Sequence, residues 1–210
     1  MLKAVKKFVD KIFSSLFKKK KHIKLGLYGP PNGGKSTLAN RICKDWLGEE
    51  MSKVSTIPHE TREIKVKEQI NIKSGNKVLT FNLVDTPGIA TQIDYEDFMK
   101  KGMSEKESKK RATEATKGVI DAIKWIDDMD VVLVVLDATK NPYTQVNITI
   151  IGDLAARKIP VLIVANKIDL RKADMKKIEA AFPQYETLGI SAKFGKNIDL
   201  LYDALFALVD

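Results

Sequence analysis

A single cysteine, Cys43, stands in the 210 residues. A lone thiol closes no disulfide within the chain, which suits a reducing compartment. Long apolar runs are missing too: none approaches the roughly 20 residues that a membrane-spanning helix needs. A secretory signal would carry an uninterrupted apolar core of about 7 to 15 residues. In the first segment no apolar run beyond residue 2 exceeds two residues, so that reading is excluded. Internal repeats are absent, and so is low complexity outside that segment. What the body of the chain lacks most is net positive charge. The whole carries +9, but residues 1 to 24 hold nine lysines against one acid, Asp10, and their balance of +8 leaves +1 for residues 25 to 210. A basic nucleic-acid surface is therefore not written into the globular part by bulk charge.

What is present fits one globular domain (22–210) with a tail (1–21), since 44% of the residues are hydrophobic and 30% charged. In the tail, Leu2, Val5, Phe8, Val9, Ile12, Phe13, Leu16 and Phe17 recur at helical spacing, and lysines fill the polar positions up to the run Lys18 to Lys21. That pattern predicts an amphipathic helix with a basic face.

From residue 22 short apolar runs alternate with helical segments, which predicts an α/β fold around a mostly parallel sheet. Strands are expected at 22–28, 62–70, 78–85, 131–138, 161–167 and 187–190. The turn SGN at 74–76 joins the second and third and makes one strand antiparallel. Helices are expected at 35–47, 104–129, 143–158, 172–182 and 197–209. In 104–129, Ala112, Ala115, Val119, Ile123 and Ile126 form an apolar stripe that reads as packing against the sheet. Residues 89–103 are expected to be mobile.

The stretch GPPNGGKST, Gly29 to Thr37, follows the first strand and opens the first helix. It satisfies G-x-x-x-x-G-K-[ST] in the context that gives this motif its meaning. Inward-turned N–H groups of Asn32, Gly33, Gly34 and the residues through Thr37, together with the helix N-terminus, suit phosphate oxygens. Lys35 would reach the β- and γ-phosphates, and Ser36 would ligate Mg²⁺. The loop alone does not choose the base. Asn166-Lys167-Ile168-Asp169 does, because guanine offers N1–H and a 2-amino group that one carboxylate, Asp169, can accept together, while adenine offers an acceptor at N1. Lys167 would lie along the base, Asn166 would tie this loop to the phosphate loop, and in Ser191-Ala192-Lys193 the Ala192 N–H would meet guanine O6. In Asp85-Thr86-Pro87-Gly88, Asp85 is placed to hold Mg²⁺ through water and the Gly88 N–H to bond the γ-phosphate. Thr61, with Thr56 as its rival in the same irregular segment, is the candidate to ligate Mg²⁺ and contact the γ-phosphate.

With GPPNGGKS, Thr61, DTPG, NKID and SAK in that order, residues 22–210 resemble the translation-factor-related P-loop GTPases, and among them the Era-like group. The resemblance implies a GTP-hydrolysing switch on a six-stranded sheet. Ending at Asp210, the chain is expected to lack the RNA-binding KH domain of Era proper. Ras-like relatives carry a water-orienting glutamine after D-x-x-G, and Ile89 stands there instead. Era-like members without it often use a potassium ion held by an asparagine at the fourth loop position, here Asn32. The resemblance thus implies K⁺-stimulated hydrolysis, with Asn32, Lys35, Thr61 and Gly88 as the catalytic set, and makes a GTP-dependent dimer conceivable.

The tail divides the expectations about partners. An anionic membrane surface suits its apolar face and lysines, and would place the protein in the cytoplasm, peripherally at a membrane. A partner-protein groove or effector is the next reading, and RNA or the ribosome the third, since lysines neutralise phosphates at any sequence.

Overall fold

The computed structural model describes residues 23–51, 63–90 and 93–209. The predicted tail helix and both switch threonines, Thr56 and Thr61, lie outside the described residues. Six strands form one sheet: β1 (Ile23–Tyr28), β2 (Lys65–Ser74), β3 (Lys77–Asp85), β4 (Val131–Asp137), β5 (Val161–Asn166) and β6 (Thr187–Ile190). Their order is β2-β3-β1-β4-β5-β6, with β2 and β3 antiparallel and every other pair parallel. The α/β class and the single antiparallel strand are those expected from the sequence.

Among the described residues six α-helices accompany the strands: α1 (Lys35–Leu47), α2 (Tyr95–Met99), α3 (Glu105–Trp125), α4 (Gln145–Ala156), α5 (Met175–Ala181) and α6 (Ile198–Val209). The central strands are buried on both faces, which is why they read as unbroken apolar runs rather than alternating ones. In β4, Val131, Leu133 and Val135 join the layer under α1 and α6, while Val132, Val134 and Leu136 join the layer under α3, α4 and α5. Among the described residues no helix is long and apolar enough to cross a membrane.

Three elements depart from the sequence reading. First, β2 runs on to Ser74, because a bulge between Lys67 and Ile70 restarts its alternation and puts Ile70 and Ile72 wholly inside. Gln69 takes the left-handed φ of 60° class there, at 55°, with its N–H donating to Asn82 Oδ1 at 2.9 Å. Second, α2 forms within the segment expected to be mobile. Asp94 caps it by accepting from the Glu96 N–H, and Phe98, 2% exposed, anchors it beneath the Arg111 guanidinium of α3.

Third, the buried stripe of α3 is Ala115, Gly118, Val119, Ala122 and Ile126, whereas Ile123 is 40% exposed and Ala112 only half-buried. Positions three and four beyond Val119 share its face about equally on a helix, and here the position three beyond, Ala122, is the one turned inward. Its start is legible: Ser104 and Glu107 form a reciprocal capping box.

Candidate functional site

The carboxyl ends of β3, β1, β4, β5 and β6 lie side by side, and all but β4 lead into one of the loops marked in the sequence. Strand order reverses around β1, which pairs with β3 on one side and β4 on the other. Open α/β sheets place their ligand crevice at such a point. The register aligns Leu27 with Asp85 and Asp137 with Asn166, so the loop residues that follow arrive at one level.

The phosphate loop is threaded through a space that admits no side chain at Gly29, Gly33 or Gly34. Gly34 has φ 101°, and a Cβ there would collide with the Asn166 amide. Across the loop, a Cβ on Gly88 would meet Pro31 Cα at 2.7 Å, so DTPG lies directly against GPPNGGK. Two further bonds hold that contact: the Thr86 hydroxyl, fully buried, donates to the Leu27 carbonyl at 2.6 Å, and the Ile89 N–H donates to the Gly29 carbonyl at 3.1 Å. Ile89 itself is 6% exposed and belongs to the core. The position where a water-orienting glutamine could stand therefore points an aliphatic group inward.

Lys35 is 5% exposed, and its Nζ donates to the carbonyls of Gly29 at 3.1 Å and Pro30 at 2.9 Å. Burial pushes its ammonium down from 10.5 to about 8, while the negative charge of Asp85 works the other way. Asp85 is fully buried at the end of β3. Ser36 follows Lys35 in the first turn of α1, and Thr37 is half-buried beside it. Asn32 is exposed, with φ 60°, a conformation that asparagine tolerates better than most residues.

The base-side loops meet at Asn166, 3% exposed at the end of β5. Its Nδ2 donates to the Gly33 carbonyl at 3.0 Å, and its Oδ1 accepts from the Lys167 N–H at 2.8 Å and the Ala192 N–H at 3.0 Å. One amide thus joins three loops, as the sequence anticipated for two of them. The Ala192 N–H, expected to meet guanine O6, is here given to Asn166; to serve a base as well it must share or release that bond. Ser191 is fully buried, its Oγ accepting from the Phe194 N–H at 3.3 Å, and this closes the SAK loop into a tight turn. Asp169 and Lys193 stand exposed at the rim.

Lys167, at φ 69°, stretches from its loop to the phosphate loop, where its Nζ donates to the Asn32 carbonyl at 2.7 Å and to Asp137 Oδ2 at 2.6 Å. Thr86 and Asp137 are the site residues that the motif reading passed over. For Asp137 a signal existed: it is the acid that ends the apolar run VVLVVL, where nothing but a partner at the strand's end explains a charge.

The oxygen donors near the loop, the Ser36 hydroxyl and the Asp85 carboxylate, are the hard donors Mg²⁺ prefers. Among the described residues no cluster of three histidine, cysteine or carboxylate side chains forms a cage.

Comparison with known proteins agrees with this geometry. The family model described as "50S ribosome-binding GTPase" matches residues 24–167. The GTPase Era of Clostridium botulinum (strain Langeland) is 35% identical over 188 residues, covering 87% of this chain and 54% of that protein. The tRNA modification GTPase MnmE of Chlorobium chlorochromatii is 31% identical over 188 residues, covering 87% of this chain and 34% of that protein. A crystal structure of an Era variant from Aquifex aeolicus, bound to GDP and aluminium fluoride, superposes with a TM-score of 0.68 at 25% identity, over 91% of this chain and 58% of that one. The chain therefore spans about half the length of the Era proteins it matches. With the family model covering well over half of its residues, and the loops it spans converging as described, this chain belongs to the 50S ribosome-binding GTPase family, as an Era-like P-loop GTPase domain.

Proposed function

We propose that the chain binds guanine nucleotides and hydrolyses GTP to GDP and phosphate as a K⁺-stimulated switch. The observation that carries the binding half is Asn166, which gathers the phosphate loop, the NKID loop and the SAK loop at one point and leaves the Asp169 carboxylate at the rim. Asp169 accepts guanine N1–H and the 2-amino group. Lys35 and the inward N–H groups of residues 32 to 37 hold the β- and γ-phosphate oxygens, and the Gly88 N–H bonds the γ-phosphate. Ser36 and Asp85, with Thr61 from outside the described residues, are the groups that would hold Mg²⁺. Held there, Mg²⁺ would supply positive charge to offset the negative charge that develops on the phosphates.

Hydrolysis needs a further positive group at the transition state, and Ile89, buried in the core, cannot help a water. Asn32 lies exposed on the phosphate loop and carries oxygen donors suited to K⁺. A monovalent cation supplies the charge an arginine finger supplies elsewhere. The left-handed backbone alone would explain an asparagine at this position, so the test is kinetic. Phosphate release from GTP at fixed ionic strength is expected to be about tenfold or more faster in KCl than in NaCl, and Asn32→Ala is expected to erase the difference. Equal rates in both salts for the intact protein would remove the cation from the mechanism.

For the cellular task, the family description and the tRNA-modifying relative favour RNA or the ribosome as partner. The nine lysines of residues 1 to 24 supply phosphate-neutralising charge that the rest of the chain lacks. A membrane surface is the second reading, carried by one observation: eight large apolar residues at helical spacing between Leu2 and Phe17, which phosphate binding does not require. It keeps the protein in the cytoplasm, peripherally at a membrane, and a protein effector or a GTP-dependent dimer is compatible with either. The intact protein and a version without residues 1 to 21 separate the two readings. Retention on structured RNA but no flotation with anionic liposomes supports RNA; tail-dependent flotation supports the membrane.

A further inference from the structure

We propose that Asp137 is a positioning residue for nucleotide binding, acting through Lys167. The inference rests on the guanine-nucleotide reading of this site and adds a residue that lies outside all its motifs.

Asp137 ends β4, and its carboxylate is divided between two tasks. Oδ1 accepts from the Thr139 N–H at 2.9 Å and the Thr139 hydroxyl at 2.7 Å, which fixes the plane of the carboxylate. Oδ2, held by that anchoring, meets the Lys167 ammonium at 2.6 Å. The side chain of Asp137 is only 11% exposed and that of Lys167 31%, so water competes weakly for the pair. Burial works to raise the Asp137 carboxyl's pKa, and the hydrogen bonds from Lys167 and Thr139 outweigh it, so the group stays charged at neutral pH.

What the pair holds is the shape of the phosphate loop. The same ammonium donates to the Asn32 carbonyl at 2.7 Å, and both residues it connects are left-handed without being glycine: Asn32 at φ 60° and Lys167 at φ 69°. Each such residue stores strain that neighbouring contacts must sustain. A lysine side chain has many rotamers, and holding it in one costs entropy. Without Asp137 the ammonium is free to leave for solvent, and the Asn32 carbonyl and the base platform lose their shared tie. The side-chain bonds of Asp137 go to Thr139 and Lys167, so on this reading it acts through Lys167. Its effect falls on affinity.

Asp137→Asn keeps the shape and the Thr139 contacts and removes the charge. On the full chain, release of fluorescent mant-GDP and the KM for GTP are both expected to rise about tenfold, with kcat changing less than about twofold, the scale of one charged hydrogen bond. A double-mutant cycle then tests the route. In a Lys167→Ala background, Asp137→Asn is expected to add nothing to the release rate. Multiplying effects in the double variant, or a release rate for Asp137→Asn equal to wild type, would overturn the inference. If Asp137→Asn does not fold, Thr139→Val removes the hydroxyl that orients the same carboxylate. Faster release that vanishes in the Lys167→Ala background supports the inference, and unchanged release overturns it. Wild-type protein that binds no mant-GDP would defeat the nucleotide reading instead, so the two failures are distinguishable.

Discussion

Asn166 makes four atoms of one side chain answer for three loops, and Asp169 three residues later is left with the base. Those two residues were legible because their chemistry has few substitutes: a donor–acceptor amide at a loop junction, a carboxylate for paired donors. Replacing Asp169 by Asn reverses one of the two hydrogen-bonding senses. It costs guanine both charge-assisted bonds and offers xanthine, with its 2-oxo group, a matching donor. The affinity for GDP should fall by about 10- to 100-fold and that for XDP should rise, read by competition against a fluorescent nucleotide. Unchanged base preference would move recognition away from Asp169. Lys35 adds a pH dependence. Its ammonium loses its proton as pH rises through about 8 in the free protein, because burial has lowered it from 10.5. Bound phosphate favours the charged form, so GDP affinity should be level below that point and about tenfold weaker one unit above it. For folding the sign is opposite: the unfolded chain holds this proton up to 10.5, and the nucleotide-free protein gains stability between about 8 and 10.5. Thr86 was not legible, since its role depends on which carbonyl the fold brings near, and Asp137 showed only as a charge at the end of an apolar strand, without the ammonium it meets.

Among the elements, the strands were read well because burial on both faces of a parallel sheet leaves long apolar runs with no competing interpretation. The ends of elements depend on neighbours. Nothing local in KEQINIKS distinguishes a strand that stops at Ile70 from one that bulges and continues to Ser74. Likewise, α2 exists because Asp94 caps it and Phe98 finds the core, and only the second is decided at long range. The stripe of α3 gives a direct comparison. Ile126 is 1% exposed and Ile123 40%. Ile126→Ala should cost about 2–5 kcal/mol in denaturant unfolding, and Ile123→Ala no more than about 0.5. Equal losses would contradict the observed face of the helix. At the phosphate loop, Gly88→Ala would have to move Pro31 and with it the contact between DTPG and GPPNGGK. A deficit in GTP turnover with GDP binding retained is the expected pattern, since Gly88 concerns the γ-phosphate alone.

At the scale of the molecule, charge is separated from chemistry. Residues 25 to 210 carry +1 of the total +9, so the motif-bearing domain is nearly neutral and the positive charge is gathered in the lysine-rich beginning. The sheet explains the rest of the arrangement: parallel strands end together, loops after them converge, and the four motifs within the described residues, spread between Gly29 and Lys193, become one site. That convergence is the central claim, and it is tested most directly by phosphate release from GTP and from ATP by the intact protein in potassium buffer with Mg²⁺. The account predicts turnover of GTP that excess GDP inhibits and excess ADP does not, with no comparable turnover of ATP. Equal hydrolysis of the two nucleotides, or GTP turnover indifferent to GDP, would contradict it.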